Sequence, residues 1–284
     1  MKIEEELDFR SLLKAFWDQK ILIISITSVF AIFSIISVLN TPNEYKAVAK
    51  IIPAESSSGN NSGGLASQLG EIAGITGIGA SKTTPEDVIA LEIMQSWSFI
   101  ENFIKKNNLE IELFALKGWD KDNDTLIINE DIYDVQASKW ISKPPTSWEL
   151  YELFLDRFSI LPQRGTSILH ISYEHYSPAR SKEYVDLILK EINDYMRIRR
   201  IEMSEKNITY LQSQVNKTQI SDMKSVFYNL IQEQTKTKML AEVNLDYVFL
   251  TIDKAMIPEL KSKPFRSLIV IQATFIGGFI SIIL

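Results

Sequence analysis

The chain has 284 residues, 45% of them hydrophobic and 23% charged, with a net charge of −6, enough for one or two domains with a sizeable core and too polar on average for a polytopic transporter, a disordered chain or a collagen. The acidic balance argues against a nucleic-acid partner bound through phosphate neutralisation. The absence of cysteine, with only two histidines, removes disulfides, thiolate metal sites, cysteine nucleophiles and most imidazole chemistry.

The average hides where the apolar residues sit. After an N-terminal segment 1–20, Ile21 to Leu39 runs without a charge, proline or glycine, and at the helical rise it reaches about 28 Å, close to the hydrocarbon thickness of a bilayer. Ser25, Thr27, Ser28, Ser34 and Ser37 can return their hydroxyls to helix carbonyls. The preceding segment carries more acid than base and no small-residue cleavage site follows, which favours an uncleaved anchor over a signal peptide. Tyr45 to Ile52 alternates apolar and polar residues and predicts a strand. Ser56 to Ala80 holds glycines 59, 63, 64, 70, 74, 77 and 79, the composition of a loop. Thr84 to Asp87 then caps a helix expected from Val88 to about Asn107, with Glu86 and Asp87 suited to its N-terminus. The polar stretch 117–147 reads as a surface excursion, Trp148 to Phe158 as a short amphipathic helix, and Ser167 to Tyr176 as a half-buried strand.

From Ala179 to Ile257 there is neither glycine nor proline. Ser177 and Pro178 supply an N-cap and a first-turn proline. Val185, Ile188, Ile192 and Tyr195 keep helical spacing, which Ile208, Leu211 and Val215 resume. The spacing predicts a helix over about 178–217, roughly 60 Å long, and Ser221 and Asp222 mark a turn into a returning helix over about 221–243. A single unbroken helix is the alternative. Leu245 to Asp253 alternates again as a strand. Leu268 to Leu284 is a second uncharged run, in which Gly277 and Gly278 would permit close helix packing. Two spans, 21–39 and 268–284, put both termini on one side and 40–267 on the other. The lack of cysteine and the short N-terminus favour a loop outside the cytoplasm. The basic residues flanking the spans lie on the loop side, a count of little force for a long loop. The expected architecture is an α/β protein: a membrane-anchored α+β base domain with a long projecting helical hairpin, flanked by two transmembrane helices.

Catalytic signals are weak. Gly74 to Lys82 resembles a phosphate loop, but Ala80 stands where the lysine should be and no strand precedes it. His170 and His175 alternate to opposite strand faces, so a shared metal is not expected. No nucleophile elbow occurs. Arg197, Arg199 and Arg200 could meet acids of a neighbouring subunit or a polyanionic glycan, although a solvated helix face also explains them.

These features in this order resemble the chain length determinant (Wzz) family of bacterial polysaccharide co-polymerases. The similarity runs over nearly the whole chain. It rests on Leu7-Asp8-Phe9-Arg10-Ser11-Leu12-Leu13 before the first span, the strand Tyr45–Ile52 ending in Pro53, and the Ser62–Gly70 segment followed by Ala-Gly-Ile. It continues through Tyr173–Pro178 leading into the long helix and the proline-rich approach to the second span, Ala255–Arg266, with Pro258, Pro264 and Arg266. The resemblance implies a non-enzymatic regulator of surface polysaccharide length, most often of lipopolysaccharide O-antigen. It implies a homo-oligomer in the bacterial inner membrane with its main domain in the periplasm, no cofactor, and as partners the O-antigen polymerase, the undecaprenyl-linked polysaccharide and the lipid bilayer. The family pattern carries a basic tail after the second span, which the run to Leu284 does not reach, and this leaves open whether a cytoplasmic domain follows. The other readings are a capsule or exopolysaccharide co-polymerase whose cytoplasmic tyrosine kinase has been trimmed away, and a two-span sensory receptor.

Overall fold

The computed structural model describes residues 17, 19–54 and 85–283. The glycine-rich segment 56–80, with the phosphate-loop-like Gly74–Lys82, lies outside the described residues. The chain divides into two compact units, one made of the two ends, Met1–Tyr45 with Leu260–Leu284, and one of Lys46–Glu259.

In the first unit, helix α1 (Lys20–Asn40) returns side-chain hydroxyls to its own backbone as its composition suggests: Ser25 Oγ donates to the Ile21 carbonyl at 2.7 Å and Thr27 Oγ1 to that of Ile23 at 2.8 Å. Its apolar side chains are largely uncovered, Ile21 at 75% and Phe33 at 73% exposure, a surface that water disfavours and lipid does not. The helix at the other end, α8 (Arg266–Ile283), packs against α1. Gly277 is what lets them approach, because a Cβ there would stand 2.7 Å from Phe30 Cβ. Among the described residues only α1 is long and apolar enough to cross a membrane; α8 is a shorter apolar helix. The membrane-approach segment is pinned beside the end of α1: Glu44 N donates to the Lys263 carbonyl at 3.0 Å, and Ser262 N to that of Glu44 at 2.7 Å.

The second unit is built on a four-stranded sheet whose order is Phe158–Pro162, Leu169–His175, Tyr45–Pro53, Phe249–Asp253. Strand β1 (Tyr45–Pro53) turns Ala47, Ala49 and Ile51 into the core and Val48 and Lys50 outward, the period-2 pattern of a half-covered strand. The expected helix over 88–107 is instead two, α2 (Pro85–Met94) and α3 (Trp97–Asn107). Ser96 breaks it, taking extended backbone and accepting the Phe99 N–H as an N-cap, since short hydroxyl side chains favour caps over helix interiors. Helix α3 buries Phe99, Ile100, Phe103 and Ile104, one helical face. A short helix α4 (Glu110–Phe114) follows. The polar excursion contains two small hairpins, β2 (Leu116–Asp120) with β3 (Thr125–Ile128) and β4 (Tyr133–Asp134) with β5 (Lys139–Trp140). Helix α5 (Ser147–Arg157) starts at a reciprocal capping box between Thr146 and Glu149.

Strands β6 (Phe158–Pro162) and β7 (Leu169–His175) form an antiparallel hairpin whose connection uses Gly165 at φ 76°, where a Cβ would be strained. Strand β7 departs from the half-buried expectation. Ile171 through His175 are all buried, because β7 lies between β6 and β1 and carries α6 packed on it. Helix α6 (Pro178–Lys217) and helix α7 (Ser221–Val243) pack on each other and occupy the glycine- and proline-free stretch. Strand β8 (Phe249–Asp253) closes the sheet antiparallel to β1, with Lys50 opposite Asp253 and Ile52 opposite Leu250.

Candidate functional site

The hairpin α6–α7 and its root in the sheet gather most of the residues that the sequence singled out. Helix α6 begins as expected: Ser177 caps it, accepting the Arg180 N–H, and Pro178 occupies its first turn. Its first half is part of the core, with Ser181, Tyr184, Val185, Ile188, Leu189, Ile192, Asn193 and Met196 buried. Beyond Met196 only Ser204 and Val215 are buried, so there the helix has α7 as its neighbour rather than the sheet.

Two polar devices fasten this root. The first is Asn193, 4% exposed. Its Oδ1 accepts the N–H groups of Val248 and Phe249, both at 2.9 Å, and its Nδ2 donates to the Phe249 carbonyl at 3.0 Å. One buried amide thus satisfies three backbone groups at the start of β8 and ties it to α6. Sequence reasoning missed Asn193; the signal available was a polar residue one and two turns beyond Leu189 and Val185 on the buried stripe.

The second device is a cluster beneath the cap. Tyr173 and Tyr184 stack with centroids 4.6 Å apart, and His175 lies against Tyr184 at 5.5 Å. Glu112, on the short helix α4, accepts from the Tyr184 hydroxyl at 3.2 Å and pairs with Arg180 at 3.3 Å. Arg180 also pairs with Glu183 at 2.7 Å. The Ser177 N–H donates to His175 Nδ1 at 3.0 Å, which places the proton of the neutral ring on Nε2. That Nε2 faces Glu112 Oε2 at 3.7 Å, beyond hydrogen-bond length. Burial, then the Arg157 charge, push the His175 pKa down to about 3, while burial raises that of the Glu112 carboxyl despite the Arg180 charge. Burial also raises both tyrosines, Tyr173 and Tyr184. These are the energetics of a packed polar core.

The three arginines are not brought together on one contact surface. Arg197 pairs with Asp194 within the helix at 2.9 Å. Arg200 pairs with Glu86 at 2.8 Å, and the Tyr247 hydroxyl donates to the other oxygen of Glu86 at 3.2 Å; burial and then the Glu86 charge push that phenol up to about 12. Arg199 is exposed. Helix α7 turns Phe227, Ile231 and Ala241 toward more covered positions and leaves Met223, Val226, Leu230, Met239 and Val243 exposed. Asn207 donates to Gln234 at 3.2 Å and Lys238 pairs with Glu205 at 2.8 Å across the hairpin.

Of the membrane-approach residues, Pro258 and Pro264 are half-buried, the Lys263–Pro264 peptide is cis, and Arg266 donates to Asn43 Oδ1 at 3.2 Å. Gly277 meets Phe30, whereas Gly278 faces open space. His170 contacts Gln163 at 3.1 Å, far in chemistry from buried His175. Among the described residues no group of His, Asp or Glu is arranged to hold a metal ion.

Residues 5–107 match the family model described as chain length determinant protein, Wzz. The matched segment includes α1, β1, α2 and α3, whereas the Tyr173–Pro178 and Ala255–Arg266 motifs lie beyond it. No curated protein matches the sequence. Among solved structures, the chain is similar to one titled full-length bacterial polysaccharide co-polymerase, at 13% identity and a TM-score of 0.38, covering 96% of this chain and 95% of that one. It is also similar to a fragment of WzzB, polysaccharide co-polymerase from Salmonella Typhimurium, at 11% identity and a TM-score of 0.30, covering 78% of this chain and all of that one.

Proposed function

We propose that this chain regulates the length of a surface polysaccharide, lipopolysaccharide O-antigen in the first instance, without catalysing bond formation itself. The observation that carries this reading is the match of residues 5–107 to the chain length determinant model. Several features support it. Helix α1 has the length and composition of a membrane anchor, and α8, packed on it through Gly277, serves as the second span. The unit between them then stands on one side of the bacterial inner membrane, in the periplasm. A row of exposed apolar residues on α7 offers a surface to further copies of the chain, and Arg199 offers a cation to a neighbouring subunit or an anionic glycan. The protein in this reading is a homo-oligomeric scaffold that organises the O-antigen polymerase and the undecaprenyl-linked polysaccharide at the bilayer.

Deleting the gene tests this directly. The polysaccharide, resolved by size on a gel, is expected to lose its preferred length and regain it on complementation. An unchanged ladder in the deletion strain would overturn the proposal.

A further inference from the structure

We propose that His175 makes the root of the helical hairpin acid-sensitive, its neutral imidazole being a structural acceptor that protonation removes. His175 is the last residue of β7, two positions before the Ser177 cap of α6. It is 1% exposed. The ring nitrogen Nδ1 takes the Ser177 N–H at 3.0 Å, so the junction between sheet and hairpin depends on a lone pair that a proton would occupy. The other nitrogen is buried without a hydrogen-bond partner. The acceptor it faces, Glu112 Oε2 at 3.7 Å, belongs to a carboxylate already engaged by Tyr184 and Arg180.

The groups facing His175 come from every element around it. Helix α4 brings Glu112. Helix α5 ends in Arg157, whose guanidinium lies over the Tyr176 ring at 5.2 Å. Strand β7 brings Tyr173, and α6 brings Arg180, Glu183 and Tyr184. Glu174, the preceding residue on β7, has Lys46 of β1 at 4.0 Å. A cation on the imidazole would therefore be the third positive charge, beside Arg157 and Arg180, around one shared carboxylate. It could be neutralised only by drawing Glu112 away from Arg180, and Nδ1 would confront the Ser177 N–H donor to donor. Each way of accommodating the proton loosens α6 from α4 or from β7.

The direction in pH follows from the folded and unfolded affinities for protons. The unfolded imidazole titrates near 6.5 and the folded one near 3. Between those values the unfolded chain binds more protons, so the contribution is complete above about 6.5 and is lost as pH falls toward 3. Glu112 opposes this above its ordinary value, because its raised folded pKa favours the folded state on the acid side. The device belongs to the unit Lys46–Glu259 and holds whatever the chain does in the membrane.

The test uses the full chain in detergent micelles. With two histidines in the sequence, ring NMR signals are assignable with a single His170→Gln variant. The wild-type protein is expected to show the His175 imidazole still neutral at pH 5. Its unfolding constant should rise by up to tenfold for each pH unit lost below about 6.5. In His175→Gln that steepness should shrink, while His170→Gln should track the wild type. A His175 signal that titrates near 6.5 with the fold intact would overturn the proposal, as would parallel profiles for wild type and His175→Gln. If His175→Gln does not fold, the wild-type NMR titration decides alone.

Discussion

Asn193 concentrates more backbone satisfaction than any other buried side chain described above. Its amide holds both N–H groups and one carbonyl where β8 begins. Replacing it with alanine leaves those groups buried and unpaired, and an orphaned buried polar group costs about 1–3 kcal/mol. Asn193→Ala is therefore expected to lower unfolding free energy by about 3 kcal/mol or more in chemical denaturation. Ser177→Ala, which removes only the α6 cap, should cost about 1 kcal/mol. A ratio near one between the two variants would show that the amide clasp is not a principal fastening. At this scale the sequence was partly legible. Ser177 and Pro178 advertise a helix start through local chemistry alone. Glu112 carries no such mark, because its role depends on Tyr184 and Arg180, about seventy residues away in the chain.

At the scale of elements, α6 divides into two stretches with different reasons for being helical. Up to Met196 it is held by burial against the sheet; beyond, by α7 and by a few polar links of the kind that contribute little individually. The 3–4 spacing of Val185, Ile188 and Ile192 reports the first stretch faithfully. It could not report the break at Ser96, where a single hydroxyl divides what periodicity presents as one helix. Nor could it show that β7 is covered on both sides, since alternation of Leu169, Ile171 and Tyr173 conceals that Ser172 and Glu174 on the other face are buried too.

The α1–α8 pair supplies a sharper element-scale prediction. Gly277→Leu forces a side chain into Phe30, and overpacking of this kind costs about 1–3 kcal/mol. Gly278→Ala meets open space and should be neutral. Thermal unfolding of both variants in micelles checks this, and equal effects would contradict the packing described. The glycine pair was visible in the sequence, but which of the two faces α1 was not, because it depends on the rotation of α8 about its axis.

For the molecule as a whole, the proposed assembly predicts that the exposed row on α7 is a contact surface. Val226→Glu combined with Leu230→Glu places two charges there without touching the residues α7 turns toward α6. The double variant should keep the wild-type melting temperature while its native mass falls toward that of one chain, and it should lose control of polysaccharide length. Unchanged mass would remove α7 from the interface. Whole-molecule features were the least legible in sequence: the strand order β6-β7-β1-β8 joins segments such as Lys50 and Asp253, 203 positions apart, and nothing local encodes such a pairing.

That pairing has a further consequence. Because β1 and β8 are antiparallel neighbours, the unit Lys46–Glu259 begins and finishes along adjacent strands, about 5 Å apart where they pair. Its covalent order is thus separable from its spatial order. Its two ends could be joined by a short flexible bridge and new ends opened elsewhere, at the exposed residues 219–220 between α6 and α7. A circularly permuted, anchor-free protein of this design should reproduce the sheet and offer a soluble form of the unit, its folding checked by circular dichroism and proton–nitrogen NMR spectra.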